Sequence, residues 1–216
     1  MERLLLGTDA LDFLEKDGFP VLGNALARDE KEAVTKASQI GFPVALKVSS
    51  PDVVHKTETG GIMVALKDGG EVKEAFKKIT GAFLSNHPGK RLEGVIVQKM
   101  GGGLELIVGV AKDQQFGPVL MFGLGGIFVE AMKDVSFRCI PIAARDAKEM
   151  IEELKSYSVL TNRRKETIDL SLIEDLLLQI SRLVEKHPGI REMDLNPVFV
   201  SSGGISVCDV RIKMGQ

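Results

Sequence analysis

The sequence predicts an α/β fold that is divided into two lobes. Short β-branched and apolar runs alternate with amphipathic helical stretches along the chain. The turn His87-Pro88-Gly89 closes the first of these series before a new strand begins at Gly94. At 216 residues the chain is long enough for one sizeable domain or two small lobes. We assign residues 1–92 to an N-terminal lobe and residues 93–216 to a C-terminal lobe.

The N-terminal lobe is predicted to alternate helices with short strands. A helix that begins near Asp29 has Ala33, Ala37 and Ile40 at helical spacing, and a later helix has a continuous apolar face. In chain order we expect a helix at 10–16, a strand at 19–22, a helix ending at 40, strands at 42–48 and 61–66, and a helix at 71–85.

The C-terminal lobe is predicted to contain two hairpins and two helices. In chain order we expect a strand at 94–100, a hairpin of strands 104–111 and 118–122, a strand at 136–141, helices at 144–154 and 170–186, and a hairpin of strands 193–200 and 205–212. Helix 170–186 has Leu172, Leu176, Ile180 and Leu183 in one stripe, which favours a core position.

The composition argues against nucleic-acid and membrane partners. The net charge is −2 and only 5% of residues are aromatic, whereas nucleic-acid binding needs a basic face and stacking rings. The longest apolar run, residues 118–129, contains three glycines and is too short to span a bilayer. The N-terminus has no signal-peptide core. We therefore expect a cytoplasmic protein with Cys139 and Cys208 as buried, reduced thiols, although a disulfide between them stays open.

A strand-borne lysine precedes a glycine pair in a way that suits phosphate binding. Lys47 interrupts an otherwise apolar strand, and a buried ammonium is costly unless an anion pairs with it. Gly60 and Gly61 allow backbone N–H groups to approach such an anion closely. These residues predict a nucleotide phosphate site.

His55 lies between Lys47 and the glycine pair. An imidazole is a competent nucleophile near neutral pH, so His55 is a candidate to accept a phosphoryl group. The alternative is a hydrogen-bonded structural histidine. His87 and His187 both precede Pro-Gly, and we assign these two to solvent-exposed turns.

Three polar residues near the C-terminus suit a hard cation. Asp194 and Asn196 are two residues apart and share one face of a strand, and Asp209 lies in the apolar strand that follows. Their oxygens suit Mg²⁺, which takes one or two carboxylates together with phosphate oxygens and water. The alternative is that these residues cap turns or pair with Arg191 and Arg211.

Glu105 interrupts the apolar run that follows residues 101–103. It is either an exposed residue of a half-buried strand or a contact to a ribose hydroxyl or a cation. The basic residues Arg163, Arg164 and Lys165 are expected to form a solvated loop.

Three segments carry a resemblance to a known family: GFPVALKVSSPDVVHKTETGG, LELIVGVAKDQQFGPVLMFGLGGIFVEAMKDVSFR, and REMDLNPVFV followed by CDVRI. Through them nearly the whole chain resembles the ATP-grasp domain of ADP-forming acyl-CoA synthetases, specifically the separate β subunit of the acetyl-CoA synthetase type. More distantly, Asn196-Pro197 and Asp209 look like the metal-binding end of the succinyl-CoA synthetase β subunit. One departure is Thr161-Asn162-Arg163-Arg164, where these proteins often have Gly-x-Arg-Gly.

The resemblance implies an ATP-grasp fold in which two lobes clamp ATP or ADP with Mg²⁺. It implies that Lys47 contacts the phosphates, that His55 carries a phosphoryl group, and that Glu105 lies on the ribose side. The remaining implied assignments are Gln98, Lys99 and Met100 at the adenine, Asn196 and Asp209 at the metal with Asp194 nearby, and Gly123, Gly125 and Gly126 near phosphate or a subunit contact.

The reaction that the resemblance implies is acyl-CoA + ADP + phosphate ⇌ acid + CoA + ATP. This chain would perform the nucleotide half, and an α subunit would supply CoA binding and acyl-phosphate chemistry in an α2β2 heterotetramer. The alternatives are a stand-alone ATP-grasp carboxylate ligase and a non-catalytic nucleotide-binding regulatory subunit.

Overall fold

The computed structural model of the chain describes residues 2–53, 60–126, 133–161 and 168–215. The chain forms two compact units, each with its own sheet and helices. The smaller unit comprises residues 22–100, and the larger unit comprises the residues before and after that range. The α/β fold class predicted from the sequence is confirmed.

The described residues form eleven strands and six helices. The strands are β1 (Arg3–Leu5), β2 (Asn24–Ala27), β3 (Val44–Ser49), β4 (Ile62–Leu66), β5 (Gly94–Lys99), β6 (Leu104–Asp113), β7 (Gly117–Leu124), β8 (Val135–Cys139), β9 (Ile190–Ser201), β10 (Gly204–Val207) and β11 (Val210–Met214). The helices are α1 (Gly7–Lys16), α2 (Glu30–Ile40), α3 (Gly69–Asn86), α4 (Ala144–Glu152), α5 (Tyr157–Thr161) and α6 (Leu170–Lys186).

The smaller unit is a four-stranded antiparallel sheet in the order β2-β5-β3-β4, with α2 and α3 on one face. An aspartate caps the start of each helix, because Asp29 and Asp68 accept hydrogen bonds from N–H groups of the first turns. Strands β3 and β5 turn alternate residues towards the helices. Leu46 and Val97, which are opposite one another, both lie in that apolar core.

The larger unit is a seven-stranded antiparallel sheet in the order β1-β11-β9-β6-β7-β8, with β10 beside β11 on the same side of β9. Helices α1, α4 and α6 supply apolar side chains to one core with the buried residues of these strands. The first and last strands pair directly, with Leu5 opposite Ile212.

Strand β9 changes its alternation at Asn196 and Pro197. Met193 and Leu195 are buried before this point and Val198 is buried after it, so the inward-facing set shifts by one residue. On the β6 side, the pairing jumps from Leu195 to Val198 while β6 advances by only two residues. This β-bulge leaves Asn196 at an irregular point of the sheet, where bulges commonly redirect side chains.

Two predicted strands differ from those observed. The strand expected at 19–22 is replaced by β2, and in the expected range only Val21 forms an isolated bridge to Val207. The strand expected at 205–212 is interrupted at Cys208 and Asp209, because β10 and β11 pair with β9 on either side of its bulge.

The two units also divide the chain differently from the predicted lobes at 1–92 and 93–216. The first 21 residues belong to the larger unit because β1 and α1 join its sheet and core. Strand β5 belongs to the smaller unit because it lies between β2 and β3.

The cysteines differ from one another in exposure. Cys208 is buried as predicted, but Cys139 is exposed at the end of β8, which corrects the expectation of two buried thiols. The structure does not join them in a disulfide bond. Within the part of the chain that the structure describes, no helix is long and apolar enough to cross a membrane.

Candidate functional site

Lys47 lies on the face of the smaller sheet that is turned away from the helices. Its neighbours in β3, Leu46 and Val48, point into the core with α2 and α3, so the alternation of the strand directs Lys47 to the opposite face. Ile96 of β5 and Ile62 of β4 are its cross-strand partners. Lys47 is half-buried rather than fully buried, and its cross-strand neighbours on both sides are apolar.

The glycine pair lies beside Lys47. The carbonyl oxygen of Gly61 accepts a hydrogen bond of 2.8 Å from the backbone N–H of Val48, which extends the β3–β4 ladder by one residue. Gly60 has a φ of 70°, a conformation that favours glycine. The structure therefore brings Gly60 and Gly61 together with Lys47 at one end of the β3–β4 pair.

Gln98 shares the face of Lys47. It is opposite Ala45 of β3, is only 1% exposed and has Asn24 of β2 on its other side. Lys99 is exposed and, by alternation, points to the other face.

The backbone N–H groups of Lys99 and Met100 already have acceptors inside the smaller unit. They donate to the carbonyl oxygens of Gly23 and Pro43 at 2.8 and 3.4 Å. The side chain of Met100 also has a partner, because its Sδ accepts the N–H of Ala65 at 3.5 Å. A base bound at this segment would therefore rely on carbonyl oxygens rather than on these two N–H groups.

Asp194 lies on the face of the larger sheet that is turned away from its helices, and Asn196 and Asp209 lie at the bulge of β9 and at the break between β10 and β11. Asp194 alternates with the buried Met193 and Leu195, and Asp209 precedes the buried Val210. The bulge in β9 and the break between β10 and β11 coincide, so the three polar residues lie around one irregular point of the sheet.

The charges around Asp194 shift its acidity. Burial raises the pKa of Asp194, the Arg211 guanidinium opposite it in β11 opposes this rise, and the Asp209 carboxylate adds to it. A bound cation would oppose this rise for Asp194. With the Asp209 carboxylate and the Asn196 amide, Asp194 would offer a cation only oxygen donors, the ligand type that Mg²⁺ takes.

This donor set contains only two carboxylates. In the described ranges no group of three or more His, Cys, Asp or Glu side chains is arranged to hold a metal ion. Asp194 also lines a cavity of about 420 Å³ together with Glu192, Arg211 and Lys213, a size within the range of small-ligand pockets. The cavity is lined by two acidic and two basic residues, so its net charge is close to zero.

Glu105 is an exposed residue near the start of β6, opposite Phe199 of β9. The N–H of Gly125 donates to the carbonyl oxygen of Glu105 at 2.7 Å. The end of β7 therefore packs against the start of β6, and Gly125 and Gly126 lie next to Glu105. This position agrees with both interpretations of Glu105, which are an exposed strand residue and a residue that contacts a ligand.

The two described histidines are turn residues but are not solvent-exposed, which corrects that expectation. Each ends a helix, because His87 and His187 donate their backbone N–H to Phe83 and Leu183 at 2.9 Å. The ring of His87 packs against Phe83, and that of His187 lies 3.1 Å from Asp17. Both histidines are half-buried.

His55 lies outside the described residues, as do Arg163, Arg164 and Lys165. The segment that leads to His55 is described as far as Val53. In this segment the Asp52 carboxylate accepts a hydrogen bond of 2.8 Å from the backbone N–H of Arg91. The sequence motifs did not identify Asp52 as a site residue. The turn signal Ser-Pro-Asp was the only sign of this contact in the sequence.

Comparison with known proteins identifies relatives over almost the whole chain. A family model described as the ATP-grasp domain matches residues 1–214. The β subunit of acetate–CoA ligase (ADP-forming) I from Pyrococcus furiosus is 41% identical over 212 residues, which are 97% of this chain and 91% of that subunit. Acetate–CoA ligase (ADP-forming) I from Archaeoglobus fulgidus is 46% identical over 98% of this chain, but the chain spans only 31% of that protein.

Solved structures of one protein are also similar. Acetyl-coenzyme A synthetase 1 of Ca. Korarchaeum cryptofilum, in complex with coenzyme A and Ca-AMPCP, is 44% identical with a TM-score of 0.94, covering 98% of this chain and 93% of that one. The same protein with Mg-AMPPCP has its phosphohistidine segment pointing towards the nucleotide-binding site, at 42% identity, a TM-score of 0.85 and coverage of 98% and 92%. Another complex has a phosphorylated segment in a site I orientation, at 43% identity, a TM-score of 0.89 and coverage of 98% and 93%.

Proposed function

The chain belongs to the ATP-grasp domain family, and its relatives include β subunits of ADP-forming acetate–CoA ligases. We therefore propose that it is the nucleotide-binding subunit of an ADP-forming acyl-CoA synthetase. The proposed overall reaction is acyl-CoA + ADP + phosphate ⇌ acid + CoA + ATP. This chain would exchange a phosphoryl group between a phosphohistidine and the nucleotide.

The observation that carries the proposal is the position of Lys47. It lies on the face of the smaller sheet that is turned away from the helices, next to Gly61 and on the same face as Gln98, so one surface combines a cation, a closely approachable backbone and a polar side chain. Phosphoryl transfer depends mainly on positioning and charge neutralisation, and this surface supplies both. The sequence continues from that strand to His55.

In the direction of ATP synthesis, phosphohistidine at position 55 would be the phosphoryl donor. The P–N bond to the imidazole breaks as a P–O bond forms to the terminal β-phosphate oxygen of ADP, and the imidazole nitrogen takes back the electron pair. Lys47 would hold the phosphate oxygens through charge-assisted hydrogen bonds. Gln98, Lys99, Met100 and Glu105 would contact the nucleoside, and Gly60 and Gly61 would allow close approach at the phosphates.

Asn196 and Asp209 would hold Mg²⁺, with Asp194 beside them. The bound ion would neutralise the charge on the nucleotide phosphates. A related structure that contains Mg-AMPPCP supports a Mg²⁺–nucleotide complex as the ligand. The chain's own contribution is the set of oxygen donors around the β9 bulge.

The proposal includes an α subunit as partner. The Pyrococcus furiosus relative is a β subunit of almost the same length, which supports a separate partner chain. An α2β2 assembly, CoA binding and acyl-phosphate chemistry on that partner, and a cytoplasmic location are parts of the same proposal.

The test is to incubate the chain with Mg²⁺ and ATP labelled at the γ-phosphate, alone and with its α subunit. We expect acid-labile, base-stable label on His55, located by mass spectrometry, and none on a His55→Asn variant. A His87→Asn variant is the matched control and should be labelled like the wild type. Nucleotide binding without label in both conditions would contradict the carrier role and favour a regulatory subunit or a stand-alone ligase.

A further inference from the structure

The end of strand β3 is tied to the residues that precede strand β5. The carbonyl oxygen of Ser49 accepts the N–H of Glu93 at 2.9 Å, and the Ser49 hydroxyl lies 3.2 Å from the Glu93 carboxylate. Three residues further on, the Asp52 carboxylate accepts the N–H of Arg91 at 2.8 Å. Two parallel sets of contacts, one at position 49 and one at position 52, therefore hold this segment against residues 91–93.

The backbone between these contacts is also fixed. Ser50 is only 2% exposed, and its hydroxyl oxygen accepts the N–H of Asp52 at 3.2 Å. Val53 packs against the apolar core of the smaller unit. The Asp52 carboxylate is thus the last described side-chain hydrogen-bond acceptor before the segment that contains His55.

The return of the chain is held at the same place. The carbonyl oxygen of Gly61 accepts the N–H of Val48, so the chain re-enters the sheet next to the strand that it left. The described residues on either side of positions 54–59 are therefore both held by contacts within the smaller unit.

Covalent geometry transmits the position of Asp52 to His55. Residue 55 follows Val53 in the sequence by only two virtual bonds of about 3.8 Å each, so the backbone held at Asp52 and Val53 limits how far the imidazole can reach. Any displacement of Asp52 and Val53 moves the origin from which the imidazole reaches the nucleotide. A misplacement of about 1 Å can cost roughly 100-fold in rate.

We propose that Asp52 is a positioning residue for phosphoryl transfer through His55, acting by its hydrogen bond to the backbone N–H of Arg91. This inference rests on the proposed function. Asp52 does not contact the substrate in this account. It determines where the histidine segment starts, and the residue type matters because a short side-chain acceptor must reach the Arg91 N–H.

The test compares Asp52→Ala, which removes the acceptor, with Asp52→Asn, which keeps an oxygen at the same reach. We expect Asp52→Ala to slow labelling of His55 by at least about tenfold, with the Kd for MgADP within about twofold of the wild type. Asp52→Asn should restore most of the rate. The matched control is Asp113→Ala, because Asp113 also accepts backbone N–H groups, those of Gln115 and Phe116, in an exposed turn.

A second measurement does not depend on activity. Trypsin cleavage after Lys56, followed by mass spectrometry, should be faster in Asp52→Ala than in the wild type, Asp52→Asn or Asp113→Ala. Wild-type labelling or unchanged cleavage in Asp52→Ala would overturn the role of Asp52 while leaving the carrier role of His55 intact. Equal losses in Asp52→Ala and Asp52→Asn would also overturn it. A wild-type chain that is never labelled would instead refute the proposed function itself.

Discussion

The backbone N–H of Asn196 donates to the carbonyl oxygen of Asp209 at 3.1 Å, directly at the bulge of strand β9. This bond holds the two residues side by side where β10 ends and β11 begins. Because it uses main-chain atoms, replacing either side chain leaves the link between the strands in place. The contributions of the Asn196 amide and the Asp209 carboxylate can therefore be tested without breaking the sheet.

We expect Asn196→Ala and Asp209→Asn to weaken Mg²⁺-dependent nucleotide binding. Asn196→Ala removes an oxygen donor and Asp209→Asn removes a negative charge, and each should cost at least about tenfold in MgADP affinity, since even residues behind the metal ligands contribute about 10–100-fold. Calorimetric titration with ADP in Mg²⁺ and in EDTA would measure this, and the difference between the two conditions should shrink in both variants. Asp175→Asn, at an exposed position on helix α6, is the control. An Asp209→Asn protein that binds MgADP like the wild type would argue against the metal assignment.

Lys47→Met should lower affinity for ADP and leave adenosine binding unchanged. Methionine keeps most of the apolar stem that lies between Ile62 and Ile96 but removes the charge. Hydrogen bonds to charged groups contribute about 1.5–3 kcal/mol, so a loss of roughly 10–100-fold in ADP affinity is expected. Lys73→Met, on an exposed position of α3, should bind both ligands normally. Equal losses for adenosine and ADP would mean that Lys47 supports the fold rather than the phosphates.

The glycines at 102 and 103 should respond differently to alanine. Gly103 has a φ of 111°, and a Cβ there would lie 2.2 Å from the carbonyl oxygen of Val200, so Gly103→Ala combines strain with a backbone clash. We expect a loss of about 1–3 kcal/mol, which is roughly 2–12 °C in Tm for a protein of this size. A Cβ at Gly102 meets nothing within 4 Å, so Gly102→Ala should melt close to the wild type. Calorimetric melting of the wild type and the two variants would test this difference, and similar Tm values for both variants would contradict the prediction.

The Asp17 carboxylate should make the free energy of unfolding depend on pH. The hydrogen bond from Lys186 holds the pKa of Asp17 below its ordinary value of 3.8, against the opposing effect of burial, and His187 lowers it further. A carboxyl group with a lowered pKa stabilises the fold fully above that ordinary value, and its contribution is lost as the pH falls through the folded-state pKa.

Asp17→Asn should therefore be less stable at neutral pH, by about 1 kcal/mol or less, and the difference should shrink as the pH falls below about 4. Melting curves at a series of pH values would measure this. Asp12→Asn, at an exposed position on α1, is the control and should follow the wild type throughout. A Tm difference that stays constant down to low pH would show that Asp17 acts through packing instead of charge.

The sequence predicted correctly those helices and strands whose defining residues lie close together in the chain. Helix α6 has the predicted bounds, because the residues that form its apolar stripe and its ends all lie within seventeen consecutive positions. The strand that carries Lys47 is also confirmed, because its apolar run is short and bounded by turn residues. Helix α2 begins after the predicted cap, Asp29.

The errors arose where the partner of a segment is distant in sequence. Leu5 pairs with Ile212, and nothing within residues 1–21 indicates a strand more than 200 positions away. The interruption at Cys208 and Asp209 depends on the bulge at Asn196 in another strand. The candidate site residues were chosen from the chemistry of their side chains and stay a prediction, whereas the contact of Asp52 with the Arg91 backbone could be seen only in the fold.

The pairing of β1 with β11 sets an order for cotranslational folding. The smaller unit is one continuous stretch and can complete its sheet once Lys99 has left the ribosome. The larger unit cannot, because Leu5 must wait for Ile212, which is about 10–40 s of synthesis at usual elongation rates. During that interval the apolar face of α1, including Leu11 and Leu14, has no core to enter. We therefore expect the nascent chain to present this helix to chaperones, and the half with the metal-binding candidates to form last.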